Sequence, residues 1–373
     1  MPANNRLGEF DLIARYFQRR HPLHHAALGV GDDCALLRPP AGELLAISTD
    51  SLVAGHHFFD DVPPAALGHK ALAVNLSDLA ASGAQPLACV LALTLPAVDE
   101  AWLADFTQGL YTLADAHGCE LIGGDTTRGP LAISVTVLGS VPPGQALLRS
   151  GAQVGDDIYV SHRMGQGLGD ARLALHLLQA QRGLPVADGV AGLDVSQRAA
   201  LLHATRPRLE QPEPRTALGL ALRGVASACM DISDGLQGDL RHILAASGVG
   251  ATLHAAPDGF ADEAGTAGDQ DAGGAVAYPH PHVPSGLLAA CSPAVRSLGD
   301  DQAVAYALAG GDDYELLFTA PVQQRAQLAR IAEQTGLQLT RVGRIEAEPG
   351  LRLRQLGGQR VSVAANGFDH FAA

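Results

Sequence analysis

Short apolar runs that border an aspartate, several of them beside glycine, recur along the chain, and no other feature constrains its fold as much. The recurrences are Asp32-Asp33, Asp50, Asp78, Asp125 in GGDTT, Asp231 and Asp234 in MDISDG, and Asp312-Asp313 in GGDDYE. A short apolar run reads as a buried strand, and it ends where glycine lets the chain turn. Several such ends on one rigid scaffold would bring carboxylates to a common rim. Carboxylates repel one another, so convergence is tolerated mainly when hard cations sit between them. Oxygen ligands without a Cys/His set point to Mg²⁺ or Mn²⁺ and away from Zn²⁺. Gly31, Gly123, Gly124, Gly310 and Gly311 permit positive φ and let backbone amides approach phosphate oxygens. A plainer reading exists for any one motif: Ser77 and Ser233 could cap helices, and Gly-Asp pairs make ordinary turns. Six recurrences along one chain favour the functional rim.

Around these points the pattern alternates between helix and strand. GEFDLIARYFQRR (8–20) has apolar residues at helical spacing, residues 44–48 read as a strand ending at Thr49-Asp50, and 65–83 read as a helix. Residues 87–95 predict a buried strand, 99–117 a helix, and 119–122 and 131–141 two more strands. Pro142-Pro143-Gly144 breaks the pattern, which sets the expected domains at 1–143 and 144–373. The second domain opens with a strand at 157–161, a Gly-rich turn and a helix from about Asp170. Later come a strand over 226–231, a helix near 239–246 and a strand over 314–319. Residues 257–284 lack periodicity and read as a surface insertion, in which His280 and His282 belong to a solvated loop. A faint echo links Asn75-Leu76-Ser77-Asp78 to Asp231-Ile232-Ser233-Asp234, and Gly31-Asp32-Asp33 to Gly311-Asp312-Asp313.

Composition narrows the chemistry. At 373 residues the chain suggests two domains, and a hydrophobic fraction of 47% supplies large cores. No apolar run reaches the ~18 residues of a membrane span, and the N-terminus has no apolar signal region. Five widely spaced cysteines with no CxxC pair read as reduced core residues of a cytoplasmic protein. A formal net charge of -14 argues against a nucleic-acid surface. Lys70 is the only lysine, and it follows His69 and precedes Ala71, so there is no Walker A loop; the lysine and HRD loop of protein kinases are also missing. If so acidic a protein handles polyphosphates, divalent metals must carry much of the neutralising charge. Gly165-Gln166-Gly167-Leu168-Gly169 is similar to a dinucleotide fingerprint, but its third glycine comes one place early. No GxSxG elbow supports a serine hydrolase.

The strings GEFDLIARYF, GVGDDCALL, STDSLVAGHHF, KALAVNLSDLAASGA, LIGGDTTRGPL, RSGAQVGDDIYVS, MDISDGLQGD, GGDDYELLF and GFDHF resemble the thiamine-monophosphate kinase family in order and spacing. The resemblance covers almost the whole chain except 257–284 and part of 163–200. It implies a two-domain α/β (α+β) protein of the aminoimidazole-ribonucleotide synthetase-like fold, with mixed sheets flanked by helices and a homodimer formed through the N-terminal domains. It also implies that ATP and thiamine monophosphate are converted to ADP and thiamine diphosphate with several Mg²⁺ ions. Carried over by position, Asp33, Ser48, Thr49, Asp50, Asp78, Asp125, Asp231 and Asp234 are similar to metal ligands. Gly124, Asp125, Arg149 and Ser233 are similar to ATP contacts, with Asp125 and Arg149 as the catalytic pair. His57, Asp312 and Phe368 are similar to the thiamine-phosphate pocket, Phe368 lying in the C-terminal tail.

Two positions depart from the family. Residue 312 is Asp where many members have Glu, and residue 117 is His where relatives often carry an aromatic that could lie against adenine. The expected nucleophile is an oxygen of the substrate's own phosphate, whose second pKa near ~6 leaves it largely deprotonated without a general base. Direct in-line transfer is expected. The competing readings are a sister ATP-dependent synthetase, of the aminoimidazole-ribonucleotide or selenophosphate type, and a non-catalytic nucleotide- or metal-binding regulator.

Overall fold

The computed structural model describes residues 8–19, 22–186, 188–257 and 284–363. In chain order the first stretch forms α1 (Glu9–Tyr16), β1 (Ala26–Leu28), β2 (Leu36–Leu37), β3 (Leu44–Val53) and α2 (Pro64–Ala81). It continues with β4 (Gln85–Leu95), α3 (Glu100–His117), β5 (Glu120–Arg128) and β6 (Ala132–Val141). Next come β7 (Asp157–His162), α4 (Asp170–Gln181), α5 (Asp188–Ala191), α6 (Val195–Glu210), α7 (Thr216–Ala221), β8 (Ala228–Asp231), α8 (Leu236–Ser247) and β9 (Gly250–His254). The last stretch holds α9 (Leu287–Ala290), α10 (Pro293–Arg296), α11 (Asp300–Ala309), β10 (Leu316–Ala320), α12 (Arg325–Thr335), β11 (Gln338–Glu346), β12 (Gly350–Arg354) and β13 (Arg360–Ser362). Most of 257–284 and the tail bearing Phe368 lie outside the described residues.

The chain divides into two units, Met1–Ala146 with Glu210–Leu220, and Leu147–Leu209 with Ala221–Ala373. The sequence places a break at 143/144; it gives no sign that residues 210–220 belong with the first unit.

In the first unit four strands pair in the order β3-β6-β4-β5. β6 runs antiparallel to both β3 and β4, whereas β4 and β5 are parallel and need the intervening α3 as a crossover. Asp99 caps α3, its side chain accepting from the amides of Ala101 and Trp102, and Gly118 ends it in the left-handed conformation. Leu72, Leu76 and Leu79 of α2 and Leu103, Phe106 and Leu110 of α3 bury against Leu91, Leu93, Val135 and Val137 of the sheet. The segment 210–220 is held to this unit by two histidines. His69 Nε2 lies 2.8 Å from the Pro212 carbonyl oxygen, and His117 Nδ1 lies 2.8 Å from Thr216 Oγ1. Burial lowers the pKa of both rings.

Two strands outrun their sequence reading. β3 continues to Val53 and β5 to Arg128, so Ser48, Thr49, Asp50, Gly124 and Asp125 lie inside strands and not at their ends. Asp78 lies in the last turns of α2. Ten consecutive register pairs with β6 hold the polar part of β3 in the sheet.

The second unit is built on seven strands in the order β13-β12-β9-β11-β7-β10-β8. Only β12 and β9 pair in parallel. Every residue of β7, β9 and β10 is buried, as expected for interior strands that read as near-continuous apolar runs. Tyr159 and Phe318 stack with ring centroids 5.3 Å apart. Buried Asp157 is compensated by Arg325, at 2.6 and 2.9 Å, and by Arg341 at 3.3 Å. β8 forms the edge and pairs Asp231 with Leu316 of β10.

Candidate active site

The first unit presents an acidic surface where β3 faces α2. Alternation along β3 turns Ala46, Ser48, Asp50 and Leu52 to one side and Ile47, Thr49 and Ser51 to the other. Ser48 Oγ donates to Asp78 Oδ2 at 2.5 Å, and the Asp50 amide donates to Asn75 Oδ1 at 3.0 Å. Asn75 is fully buried and anchored through its own amide group to the Ala71 carbonyl. One turn of α2 therefore aligns Asn75 and Asp78 with alternate residues of β3. Burial first, and then the charge of Asp78, pushes the Asp50 carboxyl up to about 6. The side chain of Thr49 lies on the opposite face, its hydroxyl 2.7 Å from that of Thr136.

Other predicted residues of this unit sit on its edge strand and loops. Asp33 is exposed in a turn where its amide donates to Asp32 Oδ1 at 2.8 Å. Gly124 has φ 152, and a Cβ there would stand 1.9 Å from the Leu91 carbonyl oxygen, so only glycine fits beside β4. That kink precedes the exposed carboxylate of Asp125. His57 Nδ1 accepts from the Val53 amide at 3.0 Å, which leaves the proton of a neutral ring on Nε2. A cavity of about 620 Å³, lined in part by Phe17, Arg19, His24, Tyr111, Gly118 and Leu121, opens between the C-terminal ends of α1 and α3 and the start of β5. His117 is half-buried with its Nδ1 engaged by Thr216.

In the second unit the MDISDG and GGDDYE strings lie against each other. The Asp312 amide donates to the Ser233 carbonyl and the Tyr314 amide to that of Ile232, both at 2.8 Å, while the Ile232 amide donates to the Glu315 carbonyl at 2.9 Å. These bonds bring Asp231, Ser233, Asp234 and Asp312 to one end of β8 and β10. Beneath them stands Asp239 of α8, 1% exposed, which the sequence reading passed over. Its Oδ2 accepts from the amides of Ser233 and Asp234 at 3.1 and 3.2 Å. Burial, then the charges of Asp231 and Asp234, raises its carboxyl to about 7. The available signal was an acid in the first turn of a helix, six residues after Ser233 and within reach of the preceding loop amides.

The two aspartates of GGDDYE divide their work. Asp313 is fully buried, and both its oxygens accept from the Gly169 amide at 3.1 Å. Arg208 bridges the Asp313 carbonyl at 2.6 Å and the buried Glu315 carboxylate at 2.9 Å, and Ser161 Oγ donates to Glu315 at 2.7 Å. This network fixes the Gly165–Gly169 turn. A Cβ on Gly167 would approach the Ala290 carbonyl oxygen to 2.3 Å, and one on Gly169 would reach Tyr306 Cβ at 2.8 Å. Gly167 and Gly169 are required by packing and Gly165 by its φ of 82°, which accounts for the likeness to a dinucleotide fingerprint. Arg149 is exposed, and its carbonyl accepts from Ser247 Oγ at 3.4 Å.

The structure thus brings Ser48, Asp50 and Asp78 into direct contact in one unit, and Asp231, Ser233, Asp234 and Asp312 together in the other. Among the described residues no three His, Cys, Asp or Glu side chains form a ready cage for a metal ion. The donor set still fits magnesium, which takes one or two protein carboxylates and completes its shell with water and substrate phosphates. The raised Asp50 carboxyl beside Asp78 is a pair that a divalent cation would relieve.

Comparison with known proteins places these residues in a family. The AIR synthase related protein N-terminal domain matches residues 31–141, and the AIR synthase related protein C-terminal domain matches residues 183–355. The thiamine-monophosphate kinase of Salmonella typhimurium is 43% identical over 367 residues, covering 98% of each chain. The crystal structure of thiamine-monophosphate kinase from Stenotrophomonas maltophilia K279a superposes with a TM-score of 0.70 at 43% identity, covering 92% of this chain and 94% of that one. AaThiL, solved in complex with AMPPCP and TMP, superposes with a TM-score of 0.66 at 27% identity over 89% of each chain. With both domains matched and the likeness running the length of the chain, this protein belongs to the thiamine-monophosphate kinase family.

Proposed function

We propose that the chain phosphorylates thiamine monophosphate with ATP, giving thiamine diphosphate and ADP. The observation that carries this reading is the contact of Ser48, Asp50 and Asp78, which places two carboxylates and a hydroxyl where a divalent cation would relieve their repulsion. Full-length identity of 43% to a thiamine-monophosphate kinase supports it, as does the likeness to AaThiL with AMPPCP and TMP bound.

Magnesium would be held by Asp33, Ser48, Asp50, Asp78, Asp125 and Asp231, and a further ion by Asp234. Thr49 belongs to the expected set, but its hydroxyl lies on the opposite face of β3, 2.7 Å from that of Thr136. Bound there, the ions would neutralise the approaching phosphates and stabilise charge on the transferred group. The protein's own part is positioning. Gly124, Asp125, Arg149 and Ser233 orient ATP, with Asp125 and Arg149 nearest the chemistry. His57, with Asp312 and Phe368, receives thiamine monophosphate. An acceptor phosphate with a pKa near ~6 needs no general base, so transfer is direct and no phosphoenzyme forms.

In this reading the first domain (1–143) carries metal ligands, ATP contacts and the dimer contact, and the second (144–373) carries Arg149, Asp231, Ser233, Asp234, Asp312 and the tail with Phe368. Leu45 and Ile47 stand exposed on the outer face of β3, and Leu36 of β2 is also exposed, an apolar set suited to a second copy of the chain. A cytoplasmic location is supported by five free cysteines, and among the described residues no helix is long and apolar enough to cross a membrane.

The test is thiamine diphosphate formation from ATP and thiamine monophosphate, with Asp78→Asn beside the parent protein. The parent should form thiamine diphosphate and ADP in equal amounts and stop with EDTA. Asp78→Asn should lose about 100-fold or more in turnover with no loss of melting temperature. ADP release without thiamine diphosphate would indicate a sister synthetase, and nucleotide binding without turnover a regulator.

A further inference from the structure

Asp312 and Tyr314 have φ angles of 61° and 47°, and among the described residues they alone pair a side chain with the left-handed backbone that favours glycine. Such strain persists only where the surroundings over-determine it, and it concentrates at functional sites. Here the surroundings do so on both sides of the segment that leads into β10. Between the two residues Asp313 points inward and is fixed by the Gly169 amide, while the amides of Asp312 and Tyr314 are tied to Ser233 and Ile232. One consequence is that Asp312 and Tyr314 turn their side chains to the same side. The Tyr314 hydroxyl donates to Asp312 Oδ1 at 3.1 Å. Tyr314 is buried and Asp312 is half-exposed, so a phenol seated in the core reaches up to a carboxylate at the surface.

We propose that Tyr314 is a positioning residue for the thiamine-phosphate contact, its hydroxyl holding the Asp312 carboxylate in one orientation toward a cationic or amino-bearing heteroaromatic ring. The inference rests on the assignment of Asp312 to that contact. A hydrogen bond to an ionised carboxylate is about twice as strong as a neutral one, and it removes rotamer freedom that a short aspartate would otherwise lose on binding. Packing alone would need the ring of Tyr314 and not its oxygen.

Kinetics of the full-length enzyme test this with Tyr314→Phe, Asp312→Asn and the double variant. Phe keeps the ring and deletes only the donor. Tyr314→Phe should raise the KM for thiamine monophosphate about five- to tenfold, with kcat and the KM for ATP within about twofold of the parent. In the Asp312→Asn background the same change should add less than about twofold, because the group it acts through has been altered. Should the variant lose heat stability, equilibrium binding of thiamine monophosphate at low temperature gives the same reading without turnover. An unchanged KM in Tyr314→Phe beside a weakened Asp312→Asn overturns the inference alone, as does a full additive loss in the double variant. Asp312→Asn with parental KM removes the substrate contact and the inference together.

Discussion

Asp50 titrates far from the ordinary carboxylate range, and the direction of its shift has a consequence for stability. Its pKa is raised from 3.8 to about 6 in the folded chain, chiefly by burial and next by Asp78. Between those values the folded state keeps a proton that the unfolded state has released, so this group's contribution to stability falls as pH rises through that window. In magnesium-free buffer, Asp50→Asn should therefore melt progressively higher than the parent between about pH 4 and 6.5, with a constant gap above. Added Mg²⁺ should raise the parent's melting temperature more than the variant's. Parallel melting curves at every pH, with and without the metal, would contradict the pairing. The aspartates themselves were legible because each borders an apolar run. The face each occupies was not: Ser48, Thr49 and Asp50 are consecutive letters, yet the pleat sends Thr49 to Thr136 and its neighbours toward α2. Tyr314 was equally hidden, since nothing in GGDDYE marks a left-handed tyrosine.

At the scale of elements, the strand that ends in Asp231 and the helix α8 that follows are joined by a loop whose shape depends on one side chain. Asp239 takes the Ser233 and Asp234 amides, and leaving these part-buried amides without an acceptor costs up to about 1 kcal/mol each. Asp239→Ala should lower the melting temperature by several degrees and should also cut kcat about tenfold or more, with a higher Mg²⁺ requirement. Thermal melts and magnesium titrations of the rate check this together. Lost stability with parental kcat and Mg²⁺ dependence would make Asp239 a packing residue only. The interior strands β7 and β10 were readable as apolar runs, as was α3 from its spacing. α6 was not, because VSQRAALLHATRPRLE carries three arginines and a proline and shows little apolar periodicity. β3 and β5 outran their readings since sheet register with β6 and β4 holds their polar ends extended, an interaction no local window contains.

For the molecule as a whole, two α/β units were legible from the alternation of elements and the Pro142-Pro143-Gly144 break. The return of Glu210–Leu220 to the first unit was not, because it depends on His69 and His117 meeting residues more than ninety positions away. The echo between residues 75–78 and 231–234 does not mark equivalent structure, since the former lie in helix α2 and the latter leave strand β8. What unifies the chain is the chemistry its aspartates support, a phosphoryl group passed from ATP to the phosphate of a thiamine ester. Transfer of label from γ-³²P-ATP tests this most directly, with purified protein, Mg²⁺ and thiamine monophosphate and separation of products and protein. The expected result is label in the terminal phosphate of thiamine diphosphate, none on the protein, and none transferred once EDTA is added. Label released as inorganic phosphate, or trapped on the protein when the acceptor is withheld, would contradict the account.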